Sequence, residues 1–166
     1  EKNNNYILIG DARFWKGVRS EYFFAKALGY DFVDTDLVIQ QKGGGLLKEI
    51  IARIGNDGFK QLEEDVNASI DVNKSVIAPG GSAVYSDKAM RHFKEIGTII
   101  YLKLDYQTVK RRLGNLKARG VVLEKGQTLR DLYNERIPYY EKYADITVKL
   151  DKLSIGNSLE KVLENL

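Results

Sequence analysis

Three short stretches of this chain hold residues whose types and spacing suit chemistry on phosphate. The first is GDARFWKG, Gly10 to Gly17. A loop that wraps phosphates reads G-x-x-x-x-G-K-S/T. Its glycines let the backbone come close, and successive N–H groups surround the anion. The lysine reaches the terminal phosphates and the hydroxyl holds Mg²⁺. Gly10 and Lys16 stand at the right spacing, and a helix starting near Val18 adds its positive end. Trp15 stands where the second glycine belongs, and Gly17 stands where the hydroxyl belongs. Asp11 adds a negative charge, offset by Arg13, Lys16 and Arg19. From these residues alone, the stretch also fits an ordinary strand-to-helix turn with a surface lysine.

The second stretch is DFVDTD. Asp34 and Asp36 are two residues apart, so in an extended segment both point to one side. Paired carboxylates at a strand end can divide the work. One holds Mg²⁺ directly or through water, and the other accepts a proton from an attacking hydroxyl. The alternative is that Asp36 caps a helix beginning at Leu37 while Asp34 is a solvated acid. The third stretch is APGGSAV, in which Pro79, Gly80, Gly81 and Ser82 can bring backbone close to a ligand or simply make a turn. Beyond these lies a basic, glycine-containing segment, about residues 115–127, long enough to fold over a site as a lid. It carries Arg119. Arg136 follows in a helical stretch, and an arginine fork suits carboxylate or phosphate.

The elements that must position these residues are legible as alternating strands and helices. Tyr6–Ile9, Asp31–Val33, Val76–Ala78, Thr98–Leu104 and Ile146–Lys149 read as strands, several of them apolar at nearly every position. Helical spacing appears over Val18–Leu28, stopped by Gly29, and over Asp57–Ile70, Gln107–Leu113, Leu129–Tyr143 and Ser158–Leu166. This alternation predicts a parallel sheet covered on both faces, with ligands beyond the carboxyl ends of its strands. The chain has 166 residues, a net charge of +3 and no cysteine. That suits a single domain and excludes disulfides and thiolate metal sites. The charge is too mild for nucleic acid or membrane to be the main partner, and a cytoplasmic monomer is expected. His92 reads as a surface residue. The run DARFWKGVRSEYFF also suits a docking surface for a partner, though Phe23 or Phe24 can equally pack a helix on the sheet.

Together, ALGYDFVDTDLVI, FKQLEED, APGGSAV, IGTIIYLKL, RRLGNLKARGVVL and GQTLRDLYNERIPYYEKYADIT resemble the shikimate kinases, in that order and from Tyr6 to about Lys149. The resemblance implies a three-layer α/β/α fold with a five-stranded parallel sheet in the order 2-3-1-4-5. It implies one domain over 1–166, with a lid at about 115–127 and a substrate-binding subdomain at about 34–62. It implies transfer of the ATP γ-phosphate to the 3-hydroxyl of shikimate, with Mg²⁺. By resemblance, Asp34 assists Mg²⁺, and Asp36 binds the shikimate hydroxyls and is the candidate base. Gly80 and Gly81 approach the substrate, and Arg136 pairs with its carboxylate. Lys60 stands where many members have a second arginine, keeping the charge but losing the fork. Arg119 matches the lid arginine, and Arg111 and Arg112 lie where the family covers adenine. Of the family's phosphate loop only Gly10 and Lys16 remain. Two expectations follow. One is a phosphotransferase impaired by its altered loop. The other is an inactive or engineered kinase-fold binding protein that keeps a shikimate-like pocket.

Overall fold

The computed structural model of the chain describes residues 4–10, 20–113, 125–150, 160, 161, 163, 164 and 166. The strands are β1 (Asn5–Gly10), β2 (Asp31–Asp34), β3 (Ser75–Ala78), β4 (Gly97–Lys103) and β5 (Ile146–Lys149). They form one all-parallel sheet in the order β2-β3-β1-β4-β5. Each lies within one residue of an apolar run in the sequence. In β1, Ile7, Leu8 and Ile9 are all buried, as a strand covered on both faces requires.

The helices are α1 (Ser20–Leu28), α2 (Thr35–Gly43), α3 (Leu47–Ala68), α4 (Asp87–Ile96), α5 (Tyr106–Leu113) and α6 (Leu129–Tyr143). Alternate side chains of the strands feed two cores. Leu8, Ile100 and Leu102 pack with Phe24 of α1 and Val109 of α5. Ile7, Ile99 and Tyr101 pack on the other face with Met90 and Phe93 of α4 and Tyr140 of α6. Phe24 therefore does packing work, while Tyr22 on the same helix is exposed. A third, smaller cluster joins α2 to α3 through Ile39, Ile50 and Val66.

Helix ends follow local chemistry. Gly29 stops α1: its N–H donates to Lys26 O and the N–H of Tyr30 donates to Ala25 O. Thr128 and Asp131 form a reciprocal capping box at the start of α6, with bonds of 3.1 and 3.0 Å. Two expectations need correction. The helix read over Asp57–Ile70 ends at Ala68 and is preceded by another that the sequence reading lacked: α3 runs from Leu47, and Gly55, with φ of 78° and ψ of 174°, breaks it into two helices. His92 is partly buried rather than free on the surface, and its Nε2–H donates to Ile70 O at 2.6 Å.

The sheet is pinned at its amino-terminal edge by Asn5, which is 1 % exposed. Its Nδ2 donates to Val72 O at 2.8 Å and to Ile96 O at 3.0 Å, and its Oδ1 accepts from Ser75 N–H at 3.0 Å. One side chain thus ties β1 to the start of β3 and to the end of α4. Asn5→Ala strands three backbone groups, two of them buried, and at ~1–3 kcal/mol for a stranded buried group the loss is expected to be roughly 2–4 kcal/mol. The midpoint of urea unfolding reports it. Tyr143 supplies a second check. Burial first, and then its 2.8 Å hydrogen bond to Asp87 Oδ1, push its phenol up to about 12. A phenol harder to ionise folded than unfolded gives stability that is complete below pH 10 and is lost as pH rises towards 12. Tyr143→Phe is expected to flatten the fall in stability over that window, read from unfolding curves between pH 9 and 12.

Candidate functional site

The carboxyl ends of β1, β2 and β3 deliver the candidate residues to one edge of the sheet. At the end of β1, Gly10 has φ of 101°, a conformation that favours glycine. A Cβ there would meet the ring of Tyr101 at 2.5 Å and Leu102 O at 2.6 Å. The chain leaves the strand over an aromatic floor, since Tyr101 in turn packs on Tyr140 with ring centroids 4.9 Å apart. A cleft of about 20 Å³ opens above it. Gly10, Pro79, Gly80, Gly81 and Tyr140 line it, as does Glu21, which is 8 % exposed.

At the end of β2, Asp34 is buried and is the N-cap of α2, accepting from Asp36 N–H at 3.0 Å. This reverses the alternative in which Asp36 is the cap. The helix begins at Thr35, so Asp34 takes the capping position and Asp36 falls in the first turn. The expectation that both point to one side of an extended segment fails for the same reason. Asp36 instead faces the third strand end. Its Oδ1 lies 3.2 Å from where a Cβ on Gly80 would sit, and Glu63 Oε2 lies 3.5 Å from the same point. Gly80 is therefore enclosed by two carboxylates. Glu63 of α3 is 7 % exposed, and Ser82 Oγ donates to its two oxygens at 2.8 and 2.9 Å.

Arg136, on α6, completes the site. Its Cζ lies 5.8 Å from the centroid of the Tyr85 ring. Burial works against its charge, but the phenol oxygens of Tyr140 and Tyr85 outweigh burial, and the net shift is upward. Its Nε is buried with no hydrogen-bond partner among the described residues. Tyr85 Oη donates to Glu135 Oε2 at 3.2 Å, and Gln127 Nε2 donates to the same atom at 3.1 Å. Tyr140 joins the two halves, lining the cleft with Gly80 and Gly81 while flanking Arg136.

Asp34, Asp36, Gly80, Gly81 and Arg136 are thus gathered at one end of the sheet. Lys60 is exposed on α3, one turn before Glu63. Arg111 is exposed on α5. The backbone of Arg112 belongs to α5, but its side chain lies outside the described residues, as do Lys16 and Arg119. Trp15 and Gly17 lie outside them too, with the lid as far as Glu124. Among the described residues, no three His, Cys, Asp or Glu side chains converge to hold a metal, and no helix is long and apolar enough to cross a membrane.

Sequence reasoning missed Glu63, Glu21 and Tyr85, and read Ser82 only as part of a backbone turn. A signal existed for Glu63. It lies four residues after Phe59 and three before Val66, on the apolar side of its helix, where a charge must find a partner. Nothing local marks Glu21 or Tyr85.

Comparison with known proteins places these features in a family. The sequence model for the family described as shikimate kinase matches residues 22–166. That match begins after the Gly10–Gly17 stretch. Shikimate kinase of Chlorobium chlorochromatii is 34 % identical, over 83 % of this chain and 78 % of the relative. Shikimate kinase of Pasteurella multocida is 30 % identical, over 99 % of this chain and 98 % of that one. Among solved structures, the shikimate kinase of Acinetobacter baumannii in complex with shikimate superposes with a TM-score of 0.83, at 26 % identity, over 97 % of this chain and 91 % of that one.

Ser82→Ala removes the hydroxyl that serves both oxygens of a buried carboxylate. The expected loss of stability is roughly 1–3 kcal/mol, measured by chemical denaturation. Unchanged stability would mean that the Ser82–Glu63 pair is not holding the Gly80 corner together.

Proposed function

The chain belongs to the shikimate kinase family, and from that premise we propose that it keeps a shikimate pocket while its nucleotide side is weakened. Transfer of the ATP γ-phosphate to the 3-hydroxyl of shikimate is then slow. The observation that supports the pocket is Arg136: a guanidinium whose Nε is buried without a partner among the described residues, beside Tyr140 of the cleft. A buried donor left unpaired is unfavourable, and a ligand carboxylate satisfies it bidentately. Asp36, held against Gly80, takes the ring hydroxyls, with Gly80 and Gly81 offering close backbone approach. Lys60, exposed on α3, is assigned the second positive charge. We assign about 34–62 as the substrate-binding subdomain and about 115–127 as the lid carrying Arg119.

Family membership implies ATP and Mg²⁺, whose chemistry is to supply the phosphoryl group and to neutralise its charge. The residues present fit a triphosphate poorly. Trp15 replaces a glycine of the loop and Gly17 removes the Mg²⁺-binding hydroxyl. Glu21 sets a carboxylate in the cleft beside Gly10. Each lost donor to a charged transition state lowers rate by ~10²–10³. The Glu21 carboxylate also favours a second reading, a kinase-fold binding protein that holds shikimate without transferring phosphate.

Calorimetry separates these readings. Shikimate is expected to bind without nucleotide, Arg136→Met to weaken it at least ~tenfold, and ATP–Mg²⁺ to bind weakly or not at all. Trp15→Gly with Gly17→Ser is expected to restore nucleotide affinity, and adding Glu21→Gln to raise it further. Tight ATP binding with rapid turnover in the unaltered protein overturns the proposed weakening. Absence of shikimate binding overturns the pocket.

A further inference from the structure

Among the described residues, the arginine assigned to the substrate carboxylate has no acceptor at its buried Nε, and its guanidinium lies between Tyr85 and Tyr140. We infer that Tyr85 is a positioning residue, its ring acting as the pin that fixes the Arg136 guanidinium. The inference rests on the reading of Arg136 as the carboxylate partner. The Tyr85 ring lies 5.8 Å from Arg136 Cζ, within the reach of a cation–π contact. The ring is itself held on two sides. Its hydroxyl donates to Glu135 at 3.2 Å, and Tyr139 meets it edge-on with centroids 5.0 Å apart. Glu135 in turn accepts from Gln127, next to the α6 capping box. Tyr85 is nevertheless 41 % exposed, which is unusual for a ring held from so many directions and fits a wall facing a ligand rather than a core residue.

Chain position reinforces the point. Tyr85 ends the short 3₁₀ segment Gly81–Tyr85, which starts at the glycines proposed to touch the substrate ring. One rigid turn therefore presents backbone at one end and the arginine's pin at the other. The distance between hydroxyl recognition and carboxylate recognition is set by that turn. An arginine held this way loses little side-chain freedom when a carboxylate arrives, which favours binding without adding a contact to the ligand.

The test uses Tyr85→Leu and Tyr85→Phe in the full chain, with two readouts. The first is the ¹⁵N–¹H resonance of Arg136 Nε, assigned through Arg136→Lys; it needs no ligand. The second is shikimate affinity by calorimetry. Tyr85→Leu is expected to move the Nε–H resonance, by removing the ring current and the restraint, and to weaken shikimate roughly five- to tenfold. Tyr85→Phe keeps the ring but loses the hydroxyl that meets Glu135 and favours the guanidinium, and is expected to fall between wild type and Tyr85→Leu in both. Overall dispersion of the spectrum shows that each variant is folded. An unmoved resonance in Tyr85→Leu, or a Tyr85→Phe variant as impaired as Tyr85→Leu, overturns the inference. If the unaltered protein fails to bind shikimate, the carboxylate assignment falls, and the resonance alone decides whether Tyr85 pins the arginine.

Discussion

The site depends on where β1 is held. Asn5 fixes its amino end through three hydrogen bonds to backbone on both sides, and β3 and β4 then flank it in register. Parallel pairing carries that alignment across the sheet: Tyr6 stands opposite Val76, and Val76 opposite Phe32. The three strands therefore end at one edge, and the loops that leave them have no choice but to meet. Gly10, Asp34 and the Pro79–Gly81 turn are neighbours because of backbone register, before any side chain at the site interacts.

Charge then divides that edge. On one side, Asp36 and Glu63 close around Gly80, with Glu63 held by Ser82. Glu63 is buried and Asp36 partly buried, and such carboxylates suit hydroxyl-bearing ligands and repel anions. On the other side, Arg136 stands between Tyr85 and Tyr140 and suits a single carboxylate. The proposed ligand, a polyhydroxylated ring acid, carries groups for both. The element that would normally receive a triphosphate begins at Gly10 and carries Trp15 and Gly17 where the loop pattern has a glycine and a hydroxyl. The proposed imbalance between substrate side and nucleotide side rests on these residues.

Tyr101 shows how packing and site are linked. It is a core residue of the α4 face, yet its ring occupies the space that any side chain at position 10 would need. The same ring supports Tyr140, which touches both the cleft and Arg136. The floor of the site is therefore part of the hydrophobic core and cannot move without disturbing it.

The sequence by itself determined the strands, because residues buried on both faces leave continuous apolar runs such as Ile99–Leu102, and it determined the ends of α1 and α6, because Gly29, Thr128 and Asp131 act on their nearest neighbours. It also located Asp34, Asp36, Gly80, Gly81 and Arg136 as candidates. Only the tertiary structure decided what those residues do to one another. Whether Asp34 or Asp36 caps α2 turned on a two-residue shift of the helix start, too small for periodicity to resolve. That a second helix, from Leu47, precedes the break at Gly55 was visible only in the structure. Glu63 meets Gly80, Glu21 enters the cleft and Tyr85 covers Arg136 across separations of 17, 11 or more, and 51 residues. Such contacts are set by sheet register and helix placement, which no local pattern encodes.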